Sequence, residues 1–317
     1  MNKDKEGTTP TYSIVIPVYG NEESLPSLIQ QLTLMNTSLD NSLEAVFVID
    51  DSPDNSLSTL RQLLPSQDFR SRVVALSRNF GAFPAIKTGF ALSRGKYIGV
   101  LAADLQEPPD LVLQFFEILR SSEFDVAVGK REARNDPLMS RILSKLFWGF
   151  YRKFVQKQMP KGGVDVFATT REVADQLVIL HESHSSLVGL LMWVGYRRAE
   201  VPYTRLRRTH GKSGWTFGKK VKYLTDSIFS FTSLPISLIL AIGLIGTAST
   251  SFVSLAVFLT WLFGGISVPG YAAQMLVQLL TSGSILFAIG ILGTYMWRTY
   301  ENSKMRPSSI VRLNETF

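Results

Sequence analysis

Between residues 227 and 297 the chain carries no Asp, Glu, Lys, Arg or His, and this absence of charge constrains the fold more than any other feature. A domain in water surrounds its core with charged side chains, so a stretch of this length belongs in a less polar medium. It divides at an uncharged linker, 264–271, into apolar segments 233–263 and 272–297. Each exceeds the ~20 helical residues that cross a hydrocarbon core of about 30 Å, so two transmembrane helices are expected. Lys219, Lys220 and Lys222 precede the pair and Arg298, Lys304, Arg306 and Arg312 follow it. Positive charge stays on the cytoplasmic side, which predicts both termini in the cytoplasm, the linker outside, and residence in the inner or plasma membrane. Trp261, Tyr271, Trp297 and Tyr300 fall where interfacial aromatic residues belong.

The remaining composition narrows the classes. The first residues, 1–11, form a polar tail without an apolar run, so no cleaved secretory signal is expected. With no cysteine there is no disulfide, thiolate metal site or cysteine nucleophile. The formal charge of +7 gathers beside the apolar segments, which suits an anionic membrane surface and argues against nucleic acid.

Residues 12–214 alternate between short apolar runs and amphipathic stretches. The runs at 13–18, 45–49, 73–76, 97–101 and 126–129 read as strands buried on both faces. Helix-start signals follow them, such as Asn21-Glu22-Glu23-Ser24 and Pro108-Pro109-Asp110. Strand and helix in alternation predict a Rossmann-like α/β domain with a mostly parallel sheet. In such a sheet ligands bind beyond the carboxyl ends of the strands. Asp50 and Asp51, Arg78 and Asn79, Asp104 and Gln106, and Lys130 and Arg131 all follow predicted strands, so four polar clusters converge on one edge. Two basic stretches rich in aromatic residues, 139–154 and the juxtamembrane segment 215–232, read as amphipathic and interfacial or packed on the domain. Residues 298–317 read as a cytoplasmic tail.

The sequence V-L-A-A-D-L-Q-E-P-P at 100–109 carries the clearest chemistry. A carboxylate and an amide oxygen at i and i+2, Asp104 and Gln106, can reach one hard divalent cation whose other positions go to water or phosphate oxygens. The alternative is that Asp104 caps a turn and Gln106 is a solvated polar residue. His181, His184 and His210 have no metal-ligand spacing, and Lys130 and Lys212 are surface charges or phosphate contacts.

Six segments in order, S-I-V-I-P-V-Y-G-N-E-E-S-L, V-I-D-D-S-P-D-N-S, L-S-R-N-F-G, A-A-D-L-Q-E-P-P, V-G-K-R and V-P-Y-T-R-L-R-R-T-H-G-K-S-G-W, followed by an apolar hairpin, carry a resemblance. The chain resembles the inverting GT-A glycosyltransferases of family 2, and more narrowly the polyisoprenyl-phosphate glycosyltransferases: dolichol-phosphate mannose synthase relatives and GtrB-type bactoprenol glucosyltransferases. The resemblance implies that Pro17, Tyr19 and Asp50 line a nucleoside pocket supported by Asp51. It implies that Asp104 and Gln106 hold Mg²⁺ or Mn²⁺ on a sugar-nucleotide diphosphate, and that Arg131, Arg205, Arg208 and Ser213 handle phosphates. Asp165 matches the second acidic motif, as a base or an orienting group on the acceptor side. The implied reaction moves a hexose, with UDP-glucose the expected donor, to undecaprenyl phosphate. Other nucleotide sugars, another acceptor, or a catalytically inactive membrane scaffold are the alternatives, and a homo-oligomer is left open. The chain departs from the pattern at Ala102, where the family often has the first acid of the metal motif. It departs again at Gly20-Asn21, where the family often has Asn-Glu and Glu22 is the nearest substitute.

Overall fold

The computed structural model describes residues 9–133, 147–149, 151–160, 162–182, 185–206, 217–263 and 270–317. Strands form where the sequence is apolar and rich in β-branched residues: β1 (Tyr12–Val18), β2 (Leu43–Ile49), β3 (Arg70–Leu76), β4 (Tyr97–Val100) and β5 (Val126–Ala133). Three further strands complete the sheet: β6 (Phe167–Thr170), β7 (Arg198–Thr204) and β8 (Val311–Thr316). The order is β7-β5-β6-β4-β1-β2-β3-β8. Pairings β1–β2, β1–β4, β2–β3 and β5–β7 are parallel, whereas β6 runs antiparallel to β4 and β5, and β8 antiparallel to β3. Six of the eight strands therefore share one direction, as expected of a mostly parallel sheet, and two strands invisible to the apolar pattern, β6 and β8, enter against it and make the sheet mixed.

Alternate side chains serve opposite faces of the sheet, as the two-residue repeat of a strand requires. Ile14, Ile16, Phe47, Ile49 and Val73 pack with α1 (Leu25–Ser38), α2 (Ser56–Leu63) and α4 (Pro109–Arg120). Val15, Val46, Val48, Val74 and Leu76 pack with α3 (Ala82–Leu92), α5 (Arg171–Ile179) and α6 (Leu187–Trp193). Burial on both faces explains why β2, Leu-Glu-Ala-Val-Phe-Val-Ile, is buried at every position. Its Glu44 is tolerated because Oε2 accepts from Ser13 Oγ at 2.6 Å and Arg94 N at 2.7 Å.

The remaining helices are α7 (Phe217–Phe231), α8 (Leu234–Leu262, 29 residues) and α9 (Tyr271–Ser303, 33 residues). Helix α7 docks on the domain: Tyr223 stacks on Tyr151 at 6.0 Å and 14°. A Cβ at Gly189 would lie 2.4 Å from Phe231 Cε2, so only glycine permits this approach. Arg298 at the end of α9 binds Asp226 at 2.6 Å and Ser230 Oγ at 3.1 Å, tying α9 to α7. Large apolar side chains along α8 and α9, among them Leu244, Ile245, Phe252, Leu286 and Met296, are exposed. Among the described residues no single helix is long and apolar enough to cross a membrane, whereas the bent pair Val221–Phe231 and Leu234–Gly246, meeting at 73°, passes by length and composition. Of the amphipathic stretch 139–154, positions 147–149 and 151–154 are helical. Tyr151 there is fully buried while Phe154 is exposed under Lys153 Nζ. Residues 139–146, Trp215 and the linker positions 264–269 lie outside the described residues, as do the side chains of Lys219, Lys220, Trp261 and Tyr271.

The segment 298–317 is more than a tail, since α9 extends to Ser303 and the chain then returns as β8. Arg72, Val73, Val74 and Ala75 pair with Thr316, Glu315, Asn314 and Leu313. Ser71 and Phe317 exchange both backbone bonds, at 3.1 and 2.9 Å. Ser77 N donates to Ile310 O at 2.9 Å, and Arg61 forms a bidentate pair with Glu315 at 2.9 and 2.6 Å. Without β8 the backbone groups of β3 would stand unpaired at an edge. Truncation after Pro307 is therefore expected to lower the melting temperature of the purified protein by about 5 °C or more, since ~2 kcal/mol moves a domain of this size by roughly that much. A truncated protein that melts with the full chain would show that β8 contributes nothing to the fold.

Candidate active site

The carboxyl ends of β1, β2 and β4 meet around two turns. After β4, Ser24 Oγ donates to Ala103 O at 2.7 Å, and Leu105 takes a left-handed φ of 53°. Gln106 N then donates to Asp104 Oδ1 at 3.2 Å. This turn presents Asp104 and Gln106 from one loop, both half-buried. Gln106 O accepts from Leu206 N at 2.8 Å, and Gln106 Nε2 faces Leu206 O at 3.4 Å, so the chain beyond β7 is laced to the same turn.

The second turn follows β1. Tyr19 is exposed, its N–H donating to Asn21 Oδ1 at 3.0 Å, and Gly20 takes a φ of 68° and donates to Ser52 Oγ at 2.7 Å. Pro17 is half-buried near the end of β1. Glu22 does not stand apart as a ligand: its Oε2 accepts from Asn55 N at 2.9 Å, while Glu22 N donates to Asp54 Oδ2 at 2.9 Å. Burial pushes the Asp54 carboxyl upward, but bonds from Ser52, Ser56 and the backbone of Glu22 and Ser56 outweigh it and hold the group below its ordinary value. Asp51 is exposed with a φ of 51°. Asp50 is buried, and its two oxygens accept from Phe80 N and Gly81 N, both at 2.7 Å. It therefore clamps the β3–α3 loop to the end of β2, a charge-assisted arrangement that also leaves Gly81, at φ 100°, at the start of α3.

On the other side of β4 the sequence-derived candidates form an alternating-charge cluster. Lys130 and Arg131 lie within β5, which runs on to Ala133, rather than after it. Lys130 pairs with Glu200 at 2.7 Å, both half exposed. Arg131 turns to the buried face and pairs with Asp165, whose Oδ2 also accepts from Tyr203 Oη at 3.0 Å. Arg205 Nε lies 3.2 Å from Glu107 Oε1. The cluster thus gathers Asp165, Arg131 and Arg205 beside the Asp104–Gln106 turn. Arg208 and Ser213 lie outside the described residues, as do His184, His210 and Lys212.

Two of the cluster's members, Glu107 and Tyr203, are not distinguished by the sequence reading. Glu107 is 1% exposed, and burial pushes its carboxyl up to about 7; Asp165 and Asp104 add to the rise while Arg205 and Arg131 oppose it. Its sequence signal is an acid directly before Pro108-Pro109, where the helix start draws it inward. Tyr203 follows Val201 at the two-residue spacing of a half-buried strand, with both side chains buried.

The donor set fits a hard divalent cation only in part. Asp104 and Gln106 supply oxygen ligands from one turn, Ala102 supplies none, and among the described residues no group of three or more His, Asp or Glu side chains is arranged to hold a metal. Two protein ligands suit Mg²⁺ or Mn²⁺ when substrate phosphates complete the shell.

Comparison with known proteins agrees with this geometry. Residues 13–176 match the family described as glycosyl transferase family 2. An uncharacterized glycosyltransferase of Synechocystis sp. is 31% identical over 300 residues, covering 94% of each chain. The undecaprenyl-phosphate 4-deoxy-4-formamido-L-arabinose transferase of Proteus mirabilis is 28% identical over 302 residues, covering 95% of this chain and 92% of that one. Among solved structures, glucosyl-3-phosphoglycerate synthase from Mycobacterium tuberculosis in complex with UDP superposes with a TM-score of 0.50 at 16% identity, over 69% of this chain and 79% of that one, a likeness of fold. A mixed Rossmann-like sheet, an acid–amide turn at the end of its fourth strand, and this match over both halves of the site lead to one conclusion: the chain belongs to glycosyltransferase family 2 and is a glycosyltransferase of GT-A fold.

Proposed function

We propose that the protein transfers glucose from UDP-glucose to undecaprenyl phosphate at the cytoplasmic leaflet, with inversion at the anomeric carbon. The observation that carries the lipid acceptor is the connection between site and hairpin. Helices α8 and α9, uncharged by sequence from Leu234 to Trp297 and lined with exposed apolar side chains, leave the sheet after β7 and rejoin it at β8. If both helices cross the bilayer, the return to β3 demands an even number of crossings and keeps the catalytic sheet on one side. The positive flanks support the cytoplasm as that side. The Proteus mirabilis relative, named for transfer involving undecaprenyl phosphate, supports the same acceptor class.

The chemistry follows from charge. A lipid monophosphate carries about −1.5 to −2 near neutral pH and is already a nucleophile. One of its oxygens bonds to the anomeric carbon as the bond to the nucleotide diphosphate breaks on the opposite face. Asp104 and Gln106 would hold Mg²⁺ or Mn²⁺, which neutralises charge on the departing diphosphate when bound. Tyr19 and Pro17 stand where the nucleoside is expected, with Asp50 holding the neighbouring loop. Arg131 and Arg205 supply positive charge for two anions that must approach each other, and Asp165 orients the acceptor side.

Radiolabelled UDP-glucose, undecaprenyl phosphate and purified protein should yield label in an organic-extractable lipid, with GDP-mannose, UDP-GlcNAc and UDP-GalNAc giving less. Label recovered from another of these donors alone would replace glucose with that sugar; no lipid-linked label from any would overturn the lipid acceptor. Asp104→Ala is expected to reduce transfer about 100-fold or more, as loss of an electrostatic stabiliser does. Ala102→Asp should lower the metal concentration needed for half activity, and an unchanged titration would separate position 102 from the metal. For topology, the absence of native cysteine allows engineered ones to be read without background. A cysteine in the 264–271 linker should label from outside intact cells, and one at Thr316 only after permeabilisation; outside labelling at Thr316 would contradict the hairpin.

A further inference from the structure

We propose that Tyr203 is a positioning residue that sets which oxygen of Asp165 faces the acceptor. This rests on the acceptor-side reading of Asp165 given above. Asp165 lies in an irregular segment before β6, preceded by Gly162 and Gly163 with φ of 97° and 81°. Such a segment does not by itself fix the carboxylate. Tyr203 comes from β7, on the far side of β5, and is paired in register with Arg131. To reach Asp165 its ring must cross β5, and the crossing point is Gly129. A Cβ there would lie 2.9 Å from Tyr203 Cε1 and 2.7 Å from Val166 Cγ1, closer than packed carbon atoms come. Meanwhile Gly129 N donates to Val166 O at 2.9 Å, holding the strand that leads back to Asp165. The glycine therefore opens a passage for the phenol, which arrives 3.0 Å from Asp165 Oδ2.

Arg131 donates to the same oxygen. Both anchors thus hold Oδ2, and among the described residues no hydrogen bond reaches Oδ1. Among those residues the carboxylate is held by Oδ2 alone, with a third of the side chain exposed. Tyr203 also stays a donor: burial, together with the Asp165 and Glu107 carboxylates, pushes its phenol far above the ordinary value. Arg131 alone would hold the carboxylate with one flexible side chain; the rigid ring adds a second, geometrically fixed constraint.

Tyr203→Phe removes the hydroxyl and keeps the ring over Gly129, so the fold should persist, as thermal melting would check. With UDP-glucose and undecaprenyl phosphate, kcat is expected to fall about tenfold, the scale of one hydrogen bond to a charged group, while KM for UDP-glucose stays within about twofold. Asp165→Asn should lower kcat further, and adding Tyr203→Phe to it should cost less than about twofold, because the two act through one carboxylate. Wild-type kcat in Tyr203→Phe, or a full tenfold additional loss in the double variant, would overturn the proposal while leaving Asp165 in place. Full activity in Asp165→Asn would instead overturn the reading on which it rests.

Discussion

The pairing of β3 with β8 is the constraint on which the rest of the molecule depends. A strand from the end of the chain adds to a sheet whose other strands are complete by residue 204, so everything between them must leave and come back. That turns the uncharged stretch 227–297 from an appendage into a loop closed on the domain. Its stem is fastened twice, at Arg298 with Asp226 and at Gly189 against Phe231. The ion pair is half-buried, where removal of one partner leaves the other uncompensated. Closure also reaches the site: Ser77 N binds Ile310 O and Thr88 Oγ1 lies 2.6 Å from Ser309 Oγ. These contacts flank the loop that Asp50 clamps at Phe80 and Gly81.

At the other side of β4 the same economy of charge operates within the domain. Arg131 and Arg205, proposed above to meet substrate phosphates, already face Asp165 and Glu107. An anion entering this region competes with carboxylates for the same guanidinium groups, in surroundings where each unpaired charge is costly. Binding of a phosphate there would thereby be coupled to rearrangement of the two carboxylates. Ala102 fits this balance: a carboxylate there would add to the negative charge of Asp104 and Asp165, which already reinforces the upward shift that burial gives Glu107.

The sequence discloses those parts of the fold that are apolar and local. Strands β1 to β5 each announce themselves by a short apolar run, because both faces are buried there. β8 reads Val-Arg-Leu-Asn-Glu-Thr, the mixed composition of an edge strand with one face exposed, and its partner lies more than two hundred residues upstream. Nothing local marks it. β6 is four residues long and runs directly into α5 at Arg171, so its antiparallel entry, and with it the mixed character of the sheet, is equally hidden. In the site, motif residues were legible as letters, whereas their partners were set by topology. Asp104 and Gln106 share a turn and could be paired by eye. Asp165, Arg131 and Tyr203 meet only because β6, β5 and β7 are neighbours, and Glu107 matters because it is buried beside Arg205, neither of which spacing reveals.

The central claim, that the chain closes through β8 onto the catalytic sheet, is tested most directly by a cross-link in the full-length protein. Ser71 and Phe317 exchange both backbone bonds, so Val74 and Asn314, three residues inward and in register, form a closely spaced pair without such bonds. With cysteines at these two positions alone, mild oxidation should give an intramolecular disulfide in most molecules, visible as a reversible gel shift. A shifted control, with the second cysteine moved from Asn314 to Arg312, should form little. Equal yields from both pairs, or no disulfide from Val74 and Asn314 in folded protein, would contradict the account.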